Sequence, residues 1–323
     1  MTMIAGTEQS AEIRLARAHL SRLADSLHGA LAALVAEVGP VEASRRVRCG
    51  DVAFTAKSTM SASEAEDRAH QDLELITSRG GRLVIPEDEE WPARAFAELS
   101  EETSEADRHH SVPPAPLALW VRGPHALADA VDKAVAVIGS RAASGYGVHV
   151  ASEFGYGLAE GGVTVVSDGG YGIADAAHRG ALQAEGVTIA VLAGGADVAY
   201  PAGQQRLLTA IAERGLVISE QPPGVTPAQH RFLTRNRLIA ALGAGTVVVE
   251  AGRRSGAKNT AAILALGRVL MAVPGPVTSV TSIGCHELIR GGIAVAVGSV
   301  AEVVESVPSF GASPTGVPTG DGA

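Results

Sequence analysis

The chain has 323 residues, of which 46% are hydrophobic, 19% are charged and 3% are aromatic, and its formal net charge is −9. This length and hydrophobic content allow a large buried core and two domains, and they exclude a chain that is disordered throughout. No apolar run approaches the roughly 20 residues needed to cross a bilayer, and the N-terminus lacks the pattern of a secretory leader. Cys49 and Cys285 are far apart and neither has metal-ligand spacing. We therefore expect free thiols, no metal site and a cytoplasmic protein.

Residues 1–80 predict a small helical N-terminal domain. Apolar residues recur at helical spacing over 13–38 and 41–47, with a break between them at a Gly-Pro pair. Ser61 and Glu64 form a capping-box pattern, which predicts that a third helix begins there.

Residues 81–132 are predicted to connect this helical region to the main domain. They contain a short strand at 82–85, a proline-rich extended linker at 111–116 and an entry strand at 117–121. At the other end, residues 307–323 are rich in Gly, Pro, Ser and Thr, and we expect them to form a disordered tail.

Residues 133–306 alternate buried strands with helices, which predicts an α/β domain with a doubly wound, mostly parallel Rossmann-like sheet. Parallel neighbours need crossover connections, and the five helices between the six strands, joined by short loops, supply them. Ligands bind such a sheet at the carboxyl ends of the strands. The predicted strands are 134–138, 163–166, 187–192, 216–218, 246–249 and 269–273, and the predicted helices are 146–160, 172–185, 203–214, 235–243 and 258–267.

The loop after the first of these strands has the composition of a phosphate-binding turn. Gly139 permits close approach of a ligand, Ser140 and Ser144 supply hydroxyls, and the next helix supplies free N–H groups. The loop matches neither a Gly-x-Gly-x-x-Gly fingerprint nor a Walker loop. We predict that it binds phosphate together with Arg141, the alternative being a tight structural turn with Arg141 exposed.

The loop after the second strand predicts a second phosphate cradle, built from Ser167, Gly169 and Gly170. Asp168 complicates this interpretation. A carboxylate at this position suits a ribose hydroxyl, but it repels a phosphate in the same loop. His178, on the short Ala-rich helix that follows, is expected to be a packed residue rather than a ligand-binding one.

Positive charge is concentrated in the main domain. Residues 1–132 hold 13 Lys/Arg against 22 Asp/Glu, whereas residues 133–295 hold 13 against 10. Within 231–258, six basic residues accompany one acid, Glu250. The loop after the 246–249 strand adds four candidate phosphate-binding residues: Ser255, Gly256, Lys258 and Thr260.

The segment 231–237 reads Arg-Phe-Leu-Thr-Arg-Asn-Arg and is the strongest candidate for binding nucleic acid. Phe232 is predicted to stack on a base. Three polar residues that follow it are predicted to hold phosphates: Arg235, Asn236 and Arg237. The alternatives are a core position for the ring and ion pairs between these arginines and Glu220 or Glu250.

The order and spacing of these motifs resemble the DNA-processing protein A family, also called DprA or Smf, over residues 82–293. The resemblance implies an extended Rossmann-like domain that binds single-stranded DNA, forms a homodimer and delivers the strand to the RecA recombinase during natural transformation. It implies no cofactor and no catalytic residue. The matching segments are 137–141 with 144–147, 167–178, 197–201, 219–224, 232–237, 248–251 with 255–256 and 260–261, 272–275, and 288–291.

The chain departs from the family pattern at three places. The family loop reads Ser-Gly-x-Ala-x-Gly-Ile-Asp, whereas here Asp168 replaces the glycine and the later acid moves from the position of Ala174 to Asp175. Lys258 replaces a hydrophobic residue. Many members carry a C-terminal winged-helix module, whereas only the predicted tail stands here.

The sequence therefore predicts a non-catalytic single-stranded DNA-binding protein. A nucleotide-processing enzyme similar to the Lonely-guy phosphoribohydrolases is the alternative, with Glu250 as its acid, although the Pro-Gly-Gly-x-Gly-Thr-x-x-Glu signature of those enzymes is missing. A nucleotide sensor is a third possibility.

Overall fold

A computed structural model describes residues 2–52, 61–100, 114–253 and 267–307. Its centre is one nine-stranded sheet in the order β1-β2-β6-β5-β4-β3-β7-β8-β9, in which β1–β2 and β2–β6 pair antiparallel and all other neighbours pair parallel. The predicted doubly wound, mostly parallel sheet is confirmed. The strands are β1 Gly81–Val84, β2 Leu119–Arg122, β3 Ala134–Gly139, β4 Thr164–Asp168, β5 Thr188–Leu192, β6 Leu216–Ser219, β7 Gly245–Glu250, β8 Val269–Ala272 and β9 Val295–Ala296.

Helices cover both faces of this sheet. The described helices are α1 Thr2–Val38, α2 Pro40–Cys49, α3 Ala62–Ser78, α4 Ala93–Ser100, α5 Leu127–Asp132, α6 Gly145–Glu160, α7 Ile173–Gln183, α8 Gln205–Arg214, α9 Gln229–Leu242, α10 Ile283–Arg290 and α11 Val300–Ser306. No helix within the described ranges combines the length and the apolar character that a membrane crossing requires.

The order of winding places a topological switch point beside β3. From β3 the chain builds outward through β4, β5 and β6, and it then returns to add β7 on the opposite side of β3. The loop after β3 therefore leads toward β4 and the loop after β7 leads toward β8, in opposite directions from two neighbouring strand ends. Ligand sites in open α/β sheets lie at such carboxyl ends.

Small residues let α6 and α7 approach each other closely on one face of the sheet. A Cβ built on Gly155 would overlap the carbonyl of Ala177, and one built on Gly180 would overlap the carbonyl of Ser152. This close contact explains the Gly- and Ala-rich composition of the two helices. It also fixes where their N-termini lie relative to the strand ends.

The N-terminal helices pack on the main domain as well as on each other. Leu20, Leu31 and Ala43 belong to a local core, whereas Ala18 and Ile76 join a core that includes residues of β1, β2 and β6. The capping box at the start of α3 is present, as predicted.

Several local predictions differ from the structure. The first helix begins at Thr2 rather than 13 and runs unbroken to Val38, and α9 begins at Gln229 rather than 235. Helices α4, α5, α10 and α11 were not predicted, because each has eight residues or fewer and carries too few turns for a helical period to emerge. The predicted helix 258–267 and tail 307–323 lie almost wholly outside the described residues, as does half of the predicted linker.

Candidate nucleic-acid interface

The Glu250 carboxylate occupies the N-terminus of α6, where the sequence predicted a bound phosphate. Its Oε2 accepts a hydrogen bond from the backbone N–H of Ser144 at 2.9 Å, and its Oε1 accepts from the hydroxyls of Ser144 at 2.5 Å and Thr281 at 2.7 Å. The side chain is fully buried, and a Cβ on Gly147 would overlap it. The Ser144 hydroxyl also accepts from the N–H of Gly147 at 3.2 Å, so both polar groups of Ser144 have partners within the protein, which corrects the prediction that Ser144 binds phosphate.

In the rest of this loop, Gly139 and Ser140 make close backbone contacts with β7, and Arg141 is exposed. A Cβ on Gly139 would lie 2.6 Å from the Ile173 side chain and 2.8 Å from the Glu250 carbonyl oxygen, so the glycine serves local packing. The backbone N–H of Ser140 donates to the same carbonyl at 2.9 Å. Arg141 is exposed, and no carboxylate of the described ranges lies within salt-bridge distance of it. The guanidinium of Arg141 is therefore accessible to a phosphate, and the backbone N–H of Ser140 is not.

The Asp168 carboxylate takes the corresponding position in the second loop. Its Oδ1 accepts from the N–H of Gly170 at 2.6 Å, and its Oδ2 accepts from Nη2 of Arg235 at 3.3 Å. Ser167 is fully buried and donates its hydroxyl to a carbonyl of β3, and Gly169 is buried as well. The structure corrects the predicted phosphate cradle of Ser167, Gly169 and Gly170, because its amide already binds a carboxylate whose charge repels phosphate.

His178 is fully buried beneath this loop, which confirms the prediction that it is a packed residue. Its Nε2 lies 2.9 Å from the carbonyl oxygen of Asp168, and its Nδ1 lies 2.7 Å from Oγ1 of Thr188. Burial lowers the pKa of His178, and the hydrogen bond to the Asp168 carbonyl offsets part of this effect. The imidazole is therefore a neutral structural group at neutral pH.

The Arg/Phe segment lies on the first half of α9, where Arg237 points into the protein. Arg237 is fully buried, and its Nη1 and Nη2 donate to Glu220 at 3.0 and 2.7 Å. Burial opposes ionisation of Glu220, but Arg237 and His28 hold its pKa below the usual value. The alternative in which Arg237 pairs with Glu220 is confirmed, and the predicted phosphate role of Arg237 is corrected. Asn236 is half-buried beside it.

The N-terminal helical region contacts the start of α9 through Asp25. Asp25 of α1 accepts from Nε and Nη2 of Arg231 at 2.9 and 2.8 Å, and it lies 3.0 Å from Nε2 of His230. The Arg231 hydrogen bonds hold the pKa of Asp25 below its usual value. This contact neutralises Arg231, although sequence spacing alone placed it beside the other arginines of the segment.

Arg235 is also buried, but it lines a cleft at the surface. Its Nη1 donates to the carbonyl of Val191 at 2.6 Å, and its Nη2 contacts Asp168. The predicted ion pairing with Glu220 or Glu250 is wrong for this arginine, since its carboxylate partner is Asp168.

The cleft lies between the ends of β4 and β5 and the first turn of α9. Phe232 is half-buried at its mouth, with its ring centroid 5.7 Å from that of Tyr200 and 5.0 Å from the guanidinium carbon of Arg141. The cleft is narrow and partly open to solvent. Tyr200 was not among the predicted site residues, although an aromatic residue in the loop after a predicted strand was a usable signal.

The cleft brings together five of the predicted site residues: Arg141, Gly169, Gly170, Phe232 and Arg235. Four others lie outside the described residues: Ser255, Gly256, Lys258 and Thr260. Across the described ranges, no three His, Cys, Asp or Glu side chains are grouped as a metal site would require.

Comparison with known proteins identifies the family. The model of the family described as DNA recombination-mediator protein A matches residues 82–308, which is most of the chain. The chain belongs to this family. A DprA relative from Mycobacterium tuberculosis is 54% identical over 295 residues, covering 91% of this chain and 75% of the relative. The Smf protein of Escherichia coli is 42% identical over 195 residues, covering 59% of this chain and 51% of that protein.

Solved structures of family members share the fold. DprA from Streptococcus pneumoniae superposes with a TM-score of 0.68 and 28% identity, covering 92% of this chain and 98% of that one. A DprA structure from Helicobacter pylori, described as showing a single-stranded DNA binding mode, gives a TM-score of 0.57 at 24% identity, covering 69% of this chain and 94% of that one. The Rossmann-like architecture is therefore a property of the family.

Proposed function

We propose that this family member is a non-catalytic single-stranded DNA-binding protein that acts as a recombination mediator in the cytoplasm. One observation carries the proposal: an exposed guanidinium, Arg141, lies over the ring of Phe232 at the mouth of a strand-end cleft. A cation and an aromatic ring side by side are what a flexible nucleic-acid strand requires, since one meets a phosphate and the other stacks on a base.

The positions of Arg141 and the two aromatic rings suit a DNA strand whose phosphate contacts Arg141 and whose adjacent base contacts a ring. Arg141 has no carboxylate partner in the described ranges, so its charge is available to a phosphate. Phe232 and Tyr200 contact each other at the mouth of the cleft, where Tyr200 is exposed and Arg141 would have to swing off the Phe232 ring to admit a base. Stacking is tolerant of sequence, and each stacked base contributes about 1–3 kcal/mol.

The enzymatic alternative has no support in the residues described. Glu250, its intended acid, is fully buried and accepts three hydrogen bonds within the protein, so it does not face the cleft. Release of free base from nucleoside monophosphates would favour the enzyme, and we expect none. The nucleotide-sensor alternative likewise gains no specific support from the described residues.

Two partners complete the proposal: a second copy of the chain and the RecA recombinase. The resemblance to the family carries both. For the homodimer, two exposed apolar residues add a physical reason: Val295 on the two-residue edge strand β9 and Ile293 just before it. Sedimentation velocity tests the dimer, and RecA filament assembly on DNA already coated with single-strand-binding protein tests the mediator role.

The proposal is tested by titrating fluorescent oligonucleotides, single- and double-stranded, at two salt concentrations. We expect preference for the single strand and an affinity that falls as salt rises. Arg141→Ala should lower the slope of log affinity against log salt by about 0.7, and Phe232→Ala should weaken binding about tenfold. Arg179→Ala is the matched control, because that arginine is exposed on α7 away from the cleft. Undetectable or salt-insensitive binding would overturn the proposal.

A further inference from the structure

Helix α9 begins without the residues that usually stabilise a helix start, although its first turn carries Phe232. Its N-cap residue, Ala228, has no side-chain acceptor, and the first turn contains no acid. The carbonyl of Ala228 accepts from the N–H groups of both Arg231 and Phe232, at 3.0 and 3.3 Å. Arg231 also places a positive charge at the positive end of the helix dipole. The local sequence therefore stabilises this turn poorly.

The missing acid comes from α1, 206 positions before Arg231 in the chain. Asp25 accepts from Nε and Nη2 of Arg231 at 2.9 and 2.8 Å, and it lies 3.0 Å from Nε2 of His230. Only 18% of the Arg231 side chain is accessible, and Nη1 of this arginine donates to the carbonyl of Thr226. Arg231 therefore ties the carboxylate both to the first turn of α9 and to the loop before it.

This contact is one of three on the same side of α1. Arg22, Asp25 and His28 follow one another at a spacing of three residues, so they are neighbours on the helix surface. Nη2 of Arg22 donates to the carbonyl of Pro223 at 3.0 Å, and Nδ1 of His28 lies 3.3 Å from Oε1 of Glu220. Both partners belong to the segment that joins β6 to α9. Helix α1 thus contacts this segment along its length and ends at the turn that carries Phe232.

We propose that Asp25 is a positioning residue for DNA binding, which acts through Arg231 to order the first turn of α9 and fix Phe232 at the mouth of the cleft. The inference rests on the proposed function. A ring that is already ordered in the free protein binds more tightly than one that must be ordered on binding. The N-terminal helical region therefore contributes to DNA affinity, although none of its described residues lines the cleft.

Charge alone predicts the opposite effect of Asp25. An acid near a DNA-binding surface repels the strand, and its removal would also leave Arg231 available to a phosphate. If charge dominated, loss of Asp25 would strengthen binding. If positioning dominates, loss of Asp25 weakens binding. The direction of the change in affinity therefore distinguishes the two effects.

The first test is Asp25→Ala, titrated with a fluorescent single-stranded oligonucleotide. We expect the dissociation constant to rise about fivefold, which is the effect of losing one helix cap. Glu12→Ala is the matched control, because it removes the same charge from an exposed position of α1, and it should not weaken binding.

The second test is rescue by Ala228→Ser. The Ala228 backbone is extended, with φ −134° and ψ 157°, as an N-cap requires, and serine supplies the capping hydroxyl without adding charge. Combined with Asp25→Ala, it should restore most of the affinity. Loss of a charge or of distant packing would not be restored by a cap on α9.

A double-mutant cycle identifies the group through which Asp25 acts. Asp25→Ala should add little in a Phe232→Ala background and should keep its fivefold effect in an Arg141→Ala background. Thermal unfolding checks that each variant is folded. Where Asp25→Ala does not fold, the same titrations with Asp25→Asn decide, since that variant keeps the side-chain shape and loses the charge.

Three outcomes would overturn the inference: unchanged or tighter binding on loss of Asp25, no rescue by Ala228→Ser, or a full fivefold loss in the Phe232→Ala background. Each of them leaves single-strand binding by the unmodified protein intact. Absence of binding by the unmodified protein would instead overturn the proposed function itself.

Discussion

The carboxylates at the ends of β7 and β4 make similar contacts but differ in burial and in the number of hydrogen bonds they accept. Each strand ends in an acid, and each acid binds a backbone N–H of a glycine- and serine-rich loop. Glu250 is fully buried and accepts three hydrogen bonds from protein groups, two of them from hydroxyls. Asp168 is partly exposed, with 26% of its side chain accessible, and accepts one short hydrogen bond and one at 3.3 Å.

This difference separates a carboxylate sealed inside the fold from one that solvent reaches at the edge of a cleft. A carboxylate whose positions are filled by protein donors and sealed from water stabilises the structure and offers nothing to a partner. A carboxylate with free lone pairs at the edge of a cleft can exchange water for ligand donors. The comparison predicts that substitutions at the β7 end change stability and that substitutions at the β4 end mainly change binding.

The largest expected effect is that of Glu250→Ala. It would remove the acceptor of three hydrogen bonds and empty the fully buried space of this side chain, so we expect the free energy of unfolding to fall by about 3 kcal/mol. Denaturant unfolding measures this. Glu153→Ala is the matched control, because that glutamate lies on the same helix with a largely exposed side chain. A fall in unfolding free energy of less than about 1 kcal/mol would contradict the stabilising role of Glu250.

The next effect concerns the space that the Glu250 carboxylate fills. Gly147→Ala would place a methyl group against the carboxylate, and such overpacking costs about 1–3 kcal/mol. At Gly145, two residues earlier, a built Cβ has nothing within 4 Å, so Gly145→Ala should be neutral or slightly stabilising. Equal unfolding midpoints for the two variants would show that the Glu250 carboxylate can move away from Gly147 at no cost in stability.

The two acids also show what sequence could and could not predict. The alternation of buried strands and helices was readable, because Val, Ile and Ala runs are bounded by glycine-rich loops. The composition of the loops indicated that they bind anions. It did not indicate that the anions are carboxylates of the protein itself, because Glu250 reaches the α6 N-terminus only through the pairing of β3 with β7, which joins residues more than 100 positions apart.

The arginines of α9 make the same point. Sequence spacing groups Arg231, Arg235 and Arg237, yet the structure assigns each a different carboxylate. These partners lie on α1, at the end of β4 and just after β6. Helical spacing separates the directions in which the three side chains point, and only the packing of α9 against the sheet determines which of them reaches a cleft. Arg141 stays exposed, and no carboxylate of the described ranges lies within salt-bridge distance of it.

A smaller, pH-dependent effect is expected behind the β4 end. Burial holds the pKa of His178 below its ordinary value of 6.5. The neutral form therefore stabilises the fold fully above pH 6.5, and this contribution is lost as pH falls toward the lowered pKa, by at most about 1.4 kcal/mol per pH unit. His28 shifts in the same direction. His178→Gln should flatten the fall in unfolding free energy between pH 7.5 and 5.5, whereas His149→Gln, on an exposed part of α6, should not.

The smallest expected change in stability is that of Asp168→Asn, and it completes the comparison. The amide oxygen can still accept one of the two hydrogen bonds, and water reaches the exposed part of the side chain, so we expect a loss of about 1 kcal/mol. Glu250→Gln makes the same chemical change in a sealed site, where the new amide N–H₂ would face donors, and it should cost more. If chemical denaturation gave Asp168→Asn the larger loss, the carboxylate of Asp168 would be needed chiefly to neutralise the buried Arg235. Its free lone pairs would then be a by-product of that pairing rather than a binding surface.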